Sequence, residues 1–181
     1  MVDKGYAVFA YDMLGFGNGI EEGTRFYNRY PQWSKMGKMV ADTKSAVDAM
    51  VNLDFIDGDK VFLAGYSLGA TVGLFTIKAY SHLHGLLPRL GFFVGHEERI
   101  PFDFHEILAS IAPRPLLVIA PVLNKDVHLR DVQLSVEQAG KIYSLYGSSK
   151  NIKFYSPDDY SRFSPGMRKK MYDWFQKMLH K

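Results

Sequence analysis

The residues best suited to chemistry in this 181-residue chain sit in "AGYSLGA", where Gly65, Ser67 and Gly69 follow the spacing Gly-x-Ser-x-Gly. An apolar stretch, Val61 to Gly65, runs into the motif, and the helix-compatible "LGATVGLFTIKAY" runs out of it. That pattern suits a sharp strand-to-helix turn, with glycines leaving room for the turn and a serine lifted at its tip. A serine hydroxyl is a weak nucleophile at its own pKa. It performs acyl transfer when a base takes its proton and an acid orients that base. The helix expected after Ser67 would bring its N-terminal amides and positive dipole end beside the hydroxyl, with the N–H of Leu68 facing a developing oxyanion.

Such a turn needs a sheet beneath it. Tyr6 to Tyr11, Val61 to Gly65 and Leu116 to Ala120 are nearly continuous apolar runs bounded by Gly, Pro or Asp, the pattern of strands buried on both faces, and Ile152 to Tyr155 is a shorter candidate. Between them lie amphipathic segments. Residues 34–51, capped by Ser34, repeat Met36, Met39, Val40, Val47 and Met50 at helical spacing. Residues 131–146, capped by Asp131, carry Val132, Val136, Ala139, Ile142, Tyr143 and Tyr146 on one side. The last helix opens with Ser164 as N-cap and Pro165 at its first position, and its Met167, Met171, Trp174, Phe175 and Met178 form one core-facing stripe. Strands alternating with helices predict a mostly parallel α/β sheet with helices on both faces, in a single domain over 1–181. Residues 82–106 hold too many Gly and Pro breaks for one helix and read as a site wall.

Composition narrows the chemistry. Apolar residues make up 47% and charged residues 23%, an ordinary globular balance, and the net charge of +3 gives no ground for a nucleic-acid or membrane partner. The absence of cysteine removes disulfides, thiolate metal sites and a cysteine nucleophile. No stretch reaches the ~18 to 20 apolar residues of a membrane span, and the N-terminus lacks the pattern of a signal peptide. His82 and His84 are two apart with no carboxylate nearby, so no metal and no cofactor are expected.

"GYAVFAYDMLGFG", "DTKSAVDAM", "DKVFLAGYSLGA" and "APRPLLVIAPVLNKD" resemble successive elements of the α/β-hydrolase superfamily, particularly its dienelactone hydrolase and acetyl xylan esterase-like branch. The resemblance covers nearly the whole chain. It implies a serine carboxylic ester hydrolase working through an acyl-enzyme on small or carbohydrate-linked esters, with serine, acid and histidine in that order. In this family the acid commonly follows the strand that "PRPLLVIAP" resembles, which implies Asp126. The family's histidine normally lies between the last strand and the last helix, where this chain reads "SPDDYSRFSP" with Tyr160 near the expected position. The candidates for the base are therefore His128, two residues past Asp126, and His96 or His105 in the irregular segment.

"GYAVFAYD" resembles the family's fourth strand. Three leading strands, and the loop that usually donates a second oxyanion N–H, are thus not encoded, and a further strand after "TIKAY" is replaced by "GFFVG" at most. The expected fold is a truncated α/β-hydrolase whose open sheet edge favours homo-oligomers. Two functions stay open: the ester hydrolase, and a degenerate hydrolase fold that binds a ligand or partner without turnover.

Overall fold

A computed structural model describes residues 1–73, 93, 96, 99–125 and 127–180. They fall into two compact units, the first holding 1–73 with Phe93 and His96, the second 99–125 and 127–180.

The first unit contains α1 (Ile20–Thr24), α2 (Phe26–Arg29), α3 (Lys35–Val51) and α4 (Leu68–Gly73). Ser34 caps α3 as its sequence predicts, its Oγ accepting from the Gly37 N–H at 2.9 Å. Met36 and Met39 are buried, and Met39 packs with Leu14 and Phe26, flanked by Met13 and Tyr30. Val40, expected on the same stripe, is exposed. The loop before α1 is organised by Asp12, whose Oδ2 accepts from the N–H and the Nδ2 of Asn18 at 3.0 and 3.1 Å. Gly17 passes close beside this carboxylate at φ 50°, where a side chain would strike it.

Tyr6–Tyr11 and Val61–Gly65 do not form strands. Neither belongs to a ladder among the described residues, and Val8, Phe9, Val61 and Leu63 are exposed. A strand requires a neighbour to share its N–H and C=O groups, and apolar residue type alone does not supply one. The stretches are steadied instead by side chains: the Tyr6 and Phe62 rings meet edge to face at 6.4 Å, and Tyr11 Oη lies 2.6 Å from Thr43 Oγ1 on α3.

The second unit is a βαβ unit with flanking helices: α5 (Phe104–Ala109), β1 (Leu116–Ile119), α6 (Leu129–Leu145), β2 (Ile152–Tyr155) and α7 (Pro165–Leu179). β1 and β2 pair in parallel, with Leu116 opposite Ile152 and Ile119 opposite Tyr155. Alternation sends Leu116, Val118, Ile152 and Phe154 to one face, where they pack with Leu108 of α5 and Val136, Ala139 and Tyr143 of α6. Tyr155 points to the other face and meets Lys170 of α7, 4.8 Å from its ring centre, so helices cover both faces.

α5 opens with a capping box, Glu106 Oε2 accepting the Asp103 N–H at 2.8 Å. α6 begins three residues earlier than its sequence suggests. His128 is its N-cap, without a side-chain cap bond, and Asp131 lies in the first turn, where a carboxylate still favours the positive helix end. Ile142 and Tyr146, expected on the packed side of α6, are exposed. Tyr143 is wholly buried and donates to the Arg114 C=O at 2.9 Å, and burial pushes its phenol up to about 12. In α7, Ser164 accepts from the Met167 N–H at 3.4 Å, and Met167, Trp174 and Phe175 are buried.

Candidate active site

Ser67 stands between the apolar stretch 61–66 and α4, at φ 51°, the single non-glycine residue with positive φ among the described residues. Serine takes this conformation at a cost of ~1–3 kcal/mol, and such strain concentrates at functional sites. The turn is closed by the Gly69 N–H donating to the Tyr66 C=O at 2.9 Å. Gly65 is indispensable to it: a Cβ there would collide with the backbone of Gly69 and Ala70. Among the described residues nothing lies within 4 Å of where a Gly69 Cβ would be, and the φ of Gly69 is not positive. Among the described residues, then, a clash enforces the first glycine of the motif and none is found at the second, although both were expected to make room for the turn. Leu68 opens α4, so its N–H is among those at a helix start without an intrahelical acceptor.

In the second unit, the two loops at the C-terminal end of the sheet stay joined beyond the strands. Ala120, Val122 and Leu123 donate to the C=O groups of Tyr155, Pro157 and Asp159 at 3.0, 2.9 and 3.1 Å. The loop leading to His128 and the loop carrying Tyr160 therefore share one edge of the sheet, where ligands of open α/β sheets bind. Tyr160 is exposed there. Asp159 holds the turn: hydrogen bonding from the Ser164 hydroxyl, then from the Tyr160 N–H, with Arg162 Nε at 2.8 Å adding to both, keeps its carboxyl below the usual carboxylate range. The hydroxyl of Ser156, the first residue after β2, is buried and has no hydrogen-bond partner among the described residues.

The remaining sequence candidates are dispersed. Asp126, His82 and His84 lie outside the described residues, as does "GFFVG" apart from Phe93. His96 is exposed in the first unit with Ser67, and its N–H donates to the Phe93 C=O at 2.8 Å. His128 is exposed at the start of α6, in the second unit. His105 sits on α5 with Nδ1 3.4 Å from Asp103 Oδ2, beside an open cleft of about 550 Å³ against Gln138 and Lys141 of α6. His180 ends α7. Asp12 and Asp159, which organise their loops, are outside the candidates that the motif and its family suggest. The signals for them were present in "YDMLGFGNG", an acid before closely spaced glycines, and in "DDYSR", an acid three residues before an arginine.

The family described as serine aminopeptidase, S33, matches residues 1–165. The chain belongs to that family. This S33 member has the α/β-hydrolase-like fold expected from its motifs, and the solved structures agree. A carbohydrate esterase family 15 glucuronoyl esterase from Caldicellulosiruptor kristjansonii superposes with a TM-score of 0.72 at 18% identity, over 86% of this chain and 55% of that one. Methylesterase BT1017 superposes at 0.66 and 19% identity, over 94% of this chain and 41% of that one. The S33 member thus spans about half the length of these two structures. No curated protein matches it.

Proposed function

We propose that this S33 member carries the acyl-transfer core of a serine carboxylic ester hydrolase acting on small or carbohydrate-linked esters. Ser67 is the nucleophile, the Leu68 N–H is an oxyanion donor, Asp126 is the acid, and His128 is the base, with His96 and His105 as alternatives. The observation that carries the reading is the backbone of Ser67, held at positive φ over a glycine that admits no side chain. In the reaction the serine oxygen would add to the ester carbonyl as the imidazole takes its proton. Collapse of the oxyanion would then expel the alcohol, and water would release the acid by the same steps. A fluorophosphonate should label the chain at Ser67, and Ser67→Ala should abolish both labelling and p-nitrophenyl acetate turnover, a loss on the order of 10⁶ for a nucleophile acting within a triad. Labelling that survives Ser67→Ala would overturn the assignment.

A second reading, a hydrolase fold that binds without turnover, draws support from the loop between β2 and α7. Its 156–164 stretch has no histidine, and Asp159 there is engaged with Arg162. A folded chain that resists fluorophosphonate would favour it.

A further inference from the structure

Between α1 and α3 the chain presents fixed aromatic rings beside unmatched cations. Phe26, buried to 1% exposure, anchors the row, with the Tyr27 ring edge-on at 5.0 Å, the Tyr30 ring at 5.4 Å, and Trp33 a further 6.2 Å from Tyr30. Tyr27 and Trp33 nevertheless remain 39% and 49% exposed. The Trp33 N–H donates to the Tyr30 C=O at 3.2 Å, so a turn sets the indole in place. Rings held this way lose little freedom on binding.

The cations around the row divide into two kinds. Arg25 faces Glu21 at 3.6 Å, and Lys38 is held by Asp42, with Glu22 at 3.9 Å. Arg29 and Lys35 have no carboxylate partner among the described residues; they lie 5.4 Å and 5.7 Å from the ring centres of Tyr30 and Tyr27. The positive charge left unmatched is the charge that touches the aromatic rings.

We infer that Tyr27, Tyr30 and Trp33, with Arg29 and Lys35, form a binding surface for an acidic saccharide, a chain of pyranose rings bearing carboxylates. The apolar C–H face of a pyranose lies against an indole or phenol ring as another flat apolar group does. A guanidinium or ammonium, already held over one face of Tyr30 or Tyr27, then takes the carboxylate of a sugar stacked on a ring face left open, that of Trp33 among them, in a charge-assisted hydrogen bond. A neutral glycan would leave both cations idle. Two unmatched cations are too few for a nucleic acid, whose binders neutralise roughly 6–10 phosphates, or for an anionic membrane patch of roughly 4–8 cations. The inference extends the carbohydrate-ester reading, since it supplies that reading with a polymer anchor.

Binding is measured in the Ser67→Ala background, so that turnover plays no part. Calorimetric titration with oligogalacturonate, a neutral xylo-oligosaccharide of equal length and poly(U) should show oligogalacturonate bound at least about tenfold more tightly than the other two. Trp33→Ala should weaken it by a similar factor while Trp33→Phe keeps most of the affinity, and Arg29→Gln with Lys35→Gln should reduce it to the neutral level. Equal binding of the neutral glycan, tighter binding of poly(U), no binding of oligogalacturonate, or an unaffected Trp33→Ala variant would each overturn the surface. Uronate binding by a chain that fluorophosphonate does not label sinks the enzyme reading alone; labelling without uronate binding sinks this surface alone.

Discussion

Gly65→Ala and Gly69→Ala add the same methyl group to the two glycines of one motif, and the structure assigns them opposite outcomes. At Gly65 the new Cβ would lie 2.5 Å from the Gly69 carbonyl carbon and 2.7 Å from the Ala70 nitrogen, with the Gly69 oxygen closer still. Ordinary contact begins near 3.4 Å, so the two sides of the turn must part by at least about 0.9 Å. The atoms in the way are backbone in the first turn of α4, and no rotamer change relieves them. Overpacking of this kind costs ~1–3 kcal/mol, which for a chain of this length lowers the melting midpoint by roughly 2–4 °C for each kcal/mol. The displaced backbone is the one that aims Ser67, and a misplacement of ~1 Å lowers reactivity by ~10²-fold. At Gly69 the methyl group meets none of the described atoms within 4 Å, and it sits on a helix, where alanine exceeds glycine by ~1 kcal/mol. Fluorophosphonate labelling rates and thermal melts of the two variants should therefore separate widely, with Gly69→Ala at or above the parent in stability and within about twofold in rate. A Gly65→Ala chain that labels and melts like the parent, or a Gly69→Ala chain harmed as much as Gly65→Ala, would refute the reasoning.

Asp126→Asn should reduce turnover by up to ~10⁴ if Asp126 orients the base, and a loss under about threefold would return it to the loop aspartates; alanine at His96, His105 and His128 in turn should identify one imidazole whose loss matches that at Ser67. Burial holds the Tyr143 phenol at about 12 against an ordinary 10.0, so the folded state keeps a proton that the unfolded state releases. Its stabilising effect is complete below pH 10 and falls between pH 10 and about 12. Tyr143→Phe should flatten that part of an alkaline denaturation profile while lowering stability at pH 7 by ~1 kcal/mol for the lost bond to Arg114. No hydrogen bond reaches the backbone of Ala7, Val8, Phe9 or Ala10 among the described residues, so the chain should self-associate at micromolar concentration and Val8→Lys with Leu63→Lys should return it to monomer; light scattering that shows a monomer at every concentration defeats that expectation.

Elements were legible in the sequence where a local rule is enough to make them. Ser34 and Ser164 mark the starts of α3 and α7 because a side-chain cap acts within three residues, and β1 and β2 follow from short apolar runs that find each other across α6. Tyr6–Tyr11 and Val61–Gly65 carry equally strong runs, yet a strand exists only where a second chain segment shares its hydrogen bonds, and residue type does not specify that partner. Asp131 does not mark the start of α6, because an aspartate serves either as a cap or within the first turn. The sharp turn that carries Ser67 over Gly65 is readable from spacing. The separate parts of Gly65 and Gly69 were not, since the clash that distinguishes them is between backbone atoms. The base is unreadable for a different reason: six histidines are present, and imidazole acts through distance rather than sequence position.

The φ of 51° at Ser67 also bears on how this sequence can drift. Glycine occupies that backbone freely and asparagine more readily than serine does, so a lineage with no use for the hydroxyl would gain up to ~1–3 kcal/mol by exchanging it. Random substitution would then run downhill, away from serine. A serine retained at that tip is held against a standing thermodynamic pull, and the difference in melting between Ser67→Gly and the parent measures how strong an opposing selection must be.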